Sequence, residues 1–176
     1  MRRLLLSLVA LGAVAALRAQ TPPSADAIMA AAQVTAKAEH KAVFVHFGAS
    51  WCIWCKRLDA FLAEKNIQPI IDRHFVTVKL ITQEAADKKA LENAGSGDWL
   101  ERLGGNGSGL PFSAMVADDG KIIVNSKRPE NGKASNIGFP AKAEEVTWFL
   151  EMLRKAAPSM PRADLDTIET RLKQPI

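Results

Sequence analysis

A chain of 176 residues, 48% hydrophobic and 24% charged, is long enough for one domain with a full apolar core, and its composition is that of an ordinary soluble protein. Two cysteines are too few for a disulfide scaffold, so the core must hold the fold. The formal charge of +4 falls to +1 without residues 1–19, which hold three arginines and no acid, and nucleic acid then loses its main support as a partner.

Those first residues form a separate unit. Arg2 and Arg3 precede an apolar run from Leu4 to Leu17, followed by Arg18, Ala19 and Gln20. A basic start, an apolar run and a small residue at the cut are the pattern of a secretory signal peptide, assigned to 1–19. A cut after Ala16 stays open, because a cut after Ala19 puts Leu17 where a small residue is preferred. The run is shorter than the roughly 18 residues a spanning helix needs. The expectation is a periplasmic or secreted protein that does not span the membrane after cleavage, in surroundings where disulfides persist.

Residues 20–41 read as a linker and an N-terminal helix, with Ser24 as cap. Residues 42–47 are a buried strand, apolar and rich in β-branched and aromatic side chains. A helix is expected over 52–65, because Cys55, Leu58, Phe61 and Leu62 fall on one face. Residues 74–81 form a second strand, 84–94 a polar helix, 99–103 a further helical turn, and 104–109 a glycine-rich loop. Strands at 110–117 and 121–125 flank the turn Asp118-Asp119-Gly120 as a hairpin. Residues 126–139 read as loop. A helix over 142–156 turns Val146, Phe149, Leu150 and Leu153 inward, Pro158 and Pro161 break it, and a last helix spans 162–173. The βαβ portion implies a parallel pair and the hairpin adds antiparallel strands, so the sheet is mixed.

Both cysteines stand in Val43–Lys56, "VFVHFGASWCIWCK", where the first strand gives way to a helix. Cys52 meets the free N–H groups and positive dipole of the first turn, which favour thiolate over thiol. Cys55 lies one turn deeper on the same face and could resolve a mixed disulfide formed at Cys52. Two other readings stand beside a reactive dithiol. A structural clip closing so short a loop is worth only about 2 kcal/mol. A metal site would need His40, His46 or His74, none in a finger-type spacing, although copper on two thiolates and one histidine is chemically conceivable. The loop at 104–109 follows a helix and precedes a strand, the wrong order for a dinucleotide cradle, so no cofactor is expected.

The segment resembles the active site of the thioredoxin superfamily: a buried strand, then Trp-Cys-x-x-Cys-Lys opening a helix. "GLPF" at 109–112 opens a strand where that family carries its cis-proline, and Lys79 stands where many members carry a lysine. The resemblance covers roughly 40–155 and is nearest to secreted bacterial thioredoxin-like proteins and to the carboxy-terminal domain of the periplasmic thiol:disulfide interchange transporter. It implies an α/β thioredoxin-like fold over 42–157, a central mixed sheet flanked by helices, with the N-terminal helix and an extra C-terminal helical tail (158–176) added.

It also implies thiol–disulfide exchange with protein thiols or disulfides, through a Cys52–Cys55 disulfide. Cys52 would attack from an exposed position and Cys55 resolve from beneath. Pro111, cis, with Leu110 before it, would shape the substrate groove, Leu110 being otherwise plain packing; Trp51 and Trp54 either form an apolar platform for substrate, or Trp51 packs under the loop and Trp54 is the more exposed. His46 replaces the acid usual six residues before the first cysteine. It is either a satisfied core histidine or the base for Cys55, or a cation that stabilises thiolate. Lys56 and Arg57 either support the thiolate or are surface residues. No histidine separates the cysteines, which favours a reductant over an oxidant and would call for a membrane redox partner. A non-catalytic metal carrier or protein-binding module using the same pair is the competing class.

Overall fold

The computed structural model describes residues 21–130 and 132–174; the expected signal peptide lies outside them. Helix α1 (Ala25–Glu39) is capped as expected, the Ser24 hydroxyl accepting the Ala27 N–H at 3.2 Å. Strand β1 (Ala42–Gly48) is buried along its whole length and runs parallel to β2 (Phe75–Ile81) on one side. On its other side β1 pairs antiparallel with β3 (Phe112–Val116), which pairs with β4 (Ile122–Asn125), giving the order β2-β1-β3-β4.

Alternation along β1 divides the core into two layers. Val43, Val45 and Phe47 face α1 and α4 (Ser96–Arg102), packing with Met29, Leu100 and Phe112. Phe44 points the other way, towards α2 (Ile53–Leu62), α3 (Gln68–His74), α5 (Ala143–Ala156) and α6 (Arg162–Leu172), among Phe61, Phe75 and Phe149. The result is a mixed sheet between two layers of helices, with the inward faces of α2 and α5 populated by the side chains their periodicity predicts.

The structure corrects four sequence expectations. The helix expected over 52–65 ends at Leu62, and after a turn the chain forms α3, which the sequence did not announce. Seven residues are too few for a periodicity to register, and Ile70 and Ile71 supply its buried side. The helix expected over 84–94 is instead a 3₁₀ helix over Ala86–Leu91 with no buried residue. Without an apolar face, nothing offsets the cost of helix nucleation. The turn expected at 99–103 belongs to α4, anchored by Leu100; the Trp99 indole donates to Asp26 of α1 at 2.7 Å.

The expected loop at 126–139 holds a second, two-stranded sheet, β5 (Lys127–Glu130) paired with β6 (Lys133–Asn136). The sequence pair Asn131-Gly132 signals such a hairpin, but its polar arms and Pro129 hide it. Gly105 follows α4 where the backbone passes so close to Leu100 and Phe112 that a methyl group would collide with both. The last helix docks on the domain: Leu165, Ile168 and Leu172 join the α2/α5 core, and Arg171 pairs with Glu64 at 2.7 Å.

Candidate functional site

Strand β1 ends at Gly48, and the chain turns over Ala49–Cys52, the Cys52 N–H donating to the Ala49 carbonyl at 3.1 Å. Cys52 is the N-cap of α2. Its sulfur accepts the Cys55 N–H at 3.1 Å, so one free donor of the first turn is directed at it. The two cysteines are joined as a disulfide. In this oxidised state Cys52 is not the exposed sulfur the sequence suggests: it is 3% exposed, and Cys55 is fully buried. The lid is apolar, since Ala49 and Leu110 pack on the pair. Leu110–Pro111 is a cis peptide, placed beside the disulfide as the glycine-leucine-proline signature implies.

Around this lid stand Trp51 (56% exposed), Ile53 (58%) and Trp54 (43%), a rim of apolar surface. The expected roles of the two tryptophans are exchanged. Trp51 does not pack under the loop; it projects outward, its indole N–H donating to the Gln83 carbonyl at 2.9 Å. Trp54 is the more covered, stacking on Phe139 with the Arg57 guanidinium 4.3 Å above its ring. Beyond Trp54 lies a groove of about 350 Å³ lined by Leu110, Asn136, Ile137, Phe139 and Glu145 among others.

Asn136, at the end of β6, ties that wall together. Its amide donates to the Gly109 and Pro111 carbonyls at 2.6 and 3.0 Å, while its oxygen accepts the Ser126 hydroxyl at 2.7 Å and the Gly138 N–H at 3.2 Å. No sequence signal marks this residue, because it sits in a stretch that reads as loop.

Beneath the disulfide, Gly48 lets other groups approach. A Cβ there would come within 3.4 Å of both the Cys55 sulfur and the Lys79 Cε. Lys79 lies opposite His46 in the β1–β2 register, and its ammonium is bound to Asp59 of α2 at 2.5 Å. The His46 Nδ1 is 3.7 Å from the other Asp59 oxygen, buried and without a hydrogen-bond partner. Burial lowers the His46 pKa from 6.5 to about 4, against the raising influence of Asp59 and with a further lowering by Lys79. At neutral pH the imidazole is therefore uncharged and supplies no cation to a thiolate.

Asp59 escaped the sequence reading although it falls four residues after Cys55, one turn along the same helix face. Beside the cluster a cavity of about 300 Å³ is lined by His46, Asp59, Asp72 and Thr77 among others, and the Thr77 hydroxyl is also buried without a partner.

His40 and His74 are not brought to this site; they line a cleft with Lys41 and Arg73 at the start of β1, the end of the strand away from the cysteines. Among the described residues, no three His, Cys, Asp or Glu side chains converge on a point that could hold a metal ion, and no helix is long and apolar enough to cross a membrane.

The family model Thioredox_DsbH, described as "Protein of unknown function, DUF255", matches residues 18–161. No curated protein sequence matches the chain. Among solved structures, a disulphide isomerase from Xylella fastidiosa Temecula1 is similar at 20% identity and TM-score 0.49, covering 85% of this chain and 92% of that one. The oxidised C-terminal domain of DsbD from Neisseria meningitidis is similar at 21% identity and TM-score 0.43, covering 74% and 97%. The family match spans most of the chain, including the strand, the cysteine pair and the cis-proline, and the protein accordingly belongs to this thioredoxin-like family.

Proposed function

We propose that the protein is an exported thiol–disulfide oxidoreductase that reduces disulfides in other proteins. The observation that carries this is the Cys52–Cys55 pair at the N-terminus of α2, with the Cys55 N–H directed at the Cys52 sulfur and Leu110–Pro111 packed beside it. In the reduced protein the Cys52 thiolate attacks one sulfur of a substrate disulfide, and the second substrate sulfur leaves as thiolate. Cys55 loses its proton, attacks the Cys52 sulfur, re-forms the internal disulfide and releases the substrate's remaining thiolate. Two electrons pass from the pair to the substrate, and a membrane dithiol donor restores them.

The platform of Trp51 and Trp54 and the groove lined by Leu110, whose course the cis Pro111 sets, receive an extended apolar segment of the substrate. Near Cys55, the Asp59 carboxylate, paired with the Lys79 ammonium, and the neutral His46 imidazole are the acceptors that take up the resolving thiol's proton. Signal-peptide cleavage delivers the chain to the periplasm or the medium.

Replacing Cys55 by Ser tests the exchange. Mixed disulfides through Cys52 should accumulate with client proteins; a variant that traps nothing, or a native chain that purifies with stoichiometric copper or zinc on its thiols, refutes it. Direction is read from the midpoint potential, where a value near about −270 mV fits a reductant and one near about −120 mV an oxidant. Export is read from the N-terminus of the mature chain by mass spectrometry.

A further inference from the structure

Glu84 lies in the connection after β2, remote in sequence from the cysteines, and is 5% exposed. Both carboxylate oxygens are engaged by one residue: Oε1 accepts the Ser50 backbone N–H at 2.5 Å and Oε2 the Ser50 hydroxyl at 2.7 Å. Two donors on two oxygens is the pattern of an acceptor-only, ionised carboxylate. A buried charge of this kind normally has a counter-ion. Among the described residues no cation forms an ion pair with Glu84; the Lys89 ammonium is bound by Glu92 at 2.9 Å, and Glu92 also accepts the Glu84 N–H at 2.7 Å.

Ser50 is a central residue of the turn that ends at Cys52. Ser50 is two residues before Cys52 in that turn, so the carboxylate bound to its N–H and hydroxyl is anchored to the backbone segment that carries the sulfur. The amino end of α2 favours one anion there. Glu84 places a second negative charge at the same end, in protein rather than in water, and a like charge disfavours the thiolate.

We infer that Glu84 is a positioning residue for Cys52: it fixes the Ala49–Cys52 turn, and its charge holds back ionisation of the attacking thiol, keeping the pair on the reducing side. The inference rests on the exchange reading and extends it to the direction of electron flow. When Cys52 ionises, its proton leaves to water and the thiolate feels the carboxylate; the disulfide carries no charge and does not. The whole effect therefore falls on the reduced form.

The other charged groups around the site are balanced or solvated. Lys56 of α2 is exposed, Arg57 covers Trp54, Lys79 is bound to Asp59, and Lys142 lies 3.8 Å from Glu145 at the start of α5. His46 is neutral at pH 7. Glu84 is the buried charge among them without an opposite partner.

Glu84→Gln removes the charge and preserves the contacts, since the amide oxygen can accept the Ser50 N–H and the amide nitrogen can donate to its hydroxyl. The variant's Cys52 ionisation constant should rise about tenfold, read from the pH dependence of iodoacetamide labelling. Its potential against glutathione should match the native value at pH well below both thiol pKa values and climb above it by up to about 30 mV at pH above them, the equivalent of that tenfold. A brace with no electrostatic role would change stability but leave the labelling pH profile at its native position and the potential difference from native the same at every pH, which overturns the inference.

If the variant does not fold, the reduced native chain labelled with ¹³C-carboxyl glutamate reads the same coupling. One buried carboxyl resonance should inflect at the Cys52 pKa and lose that inflection in Cys52→Ser; no such resonance overturns the inference. A native chain that forms no mixed disulfide overturns the exchange reading and the inference together. A reactive native chain with an unmoved variant overturns the inference alone.

Discussion

His46 ties the site to the pH dependence of folding. Its pKa is about 4 in the folded chain, lowered by burial, against 6.5 for an unperturbed histidine. Between those values the unfolded chain binds a proton that the folded chain does not, so stability falls as pH drops from about 6.5 to about 4 and the loss is complete below that. The largest loss is on the order of 3 kcal/mol. Urea midpoints of the oxidised protein across this range should show it, and His46→Gln should flatten that part of the curve. Asp59 has a kinetic consequence instead. Asp59→Asn leaves the Lys79 ammonium without its partner and removes an acceptor near Cys55, so decay of the mixed disulfide should slow by roughly tenfold to a hundredfold with a shifted pH profile. A decay rate and profile equal to native would return Asp59 to the role of a surface ion-pair partner.

At the level of elements, the site is assembled from pieces far apart in the chain. The β1–α2 junction supplies the sulfurs, the connection after β2 grips the turn before them, and β6 holds the cis-proline segment through Asn136. Asn136→Ala leaves the Gly109 and Pro111 carbonyls without that donor. It should lower stability by about 1–3 kcal/mol in urea denaturation and raise the KM for a protein disulfide more than it lowers kcat. A variant with native stability would show that water replaces the amide at no cost. The hairpin escaped the sequence reading because its strands are polar on both faces; their stability comes from pairing and from the Ser126–Asn136–Gly138 contacts rather than from an apolar stripe.

At the scale of the whole molecule, α6 completes the core rather than trailing from it. Ile168 is fully buried among α2, α3 and α5 side chains, and Arg73 reaches Asp164 at 2.9 Å. Ile168→Ala should cost about 2–5 kcal/mol, and removing 158–176 should expose the α5 face and prevent two-state unfolding. Both are read from denaturant curves of the disulfide-intact protein. A truncated chain as stable as the native would make the tail an independent appendage.

The residues that the sequence determined are those whose signal is local. The β1 strand is apolar throughout, the inward faces of α2 and α5 repeat at helical spacing, and the cysteines sit where strand turns to helix; these follow from period and position along a short segment. The cis-proline was legible only because a known family places one there. Asp59, Glu84 and Asn136 were not legible. Each is an ordinary polar residue in its own neighbourhood, and it gains a role only when folding places Lys79, Ser50 or the Pro111 carbonyl within hydrogen-bond reach. The exchange of roles between Trp51 and Trp54 has the same origin. Local pattern cannot say which of two nearby rings finds Phe139 to stack on, because Phe139 arrives from a distant part of the chain. Hydrophobic periodicity is written within a few turns of chain, whereas the partner of a buried polar group is set by the crossing of elements.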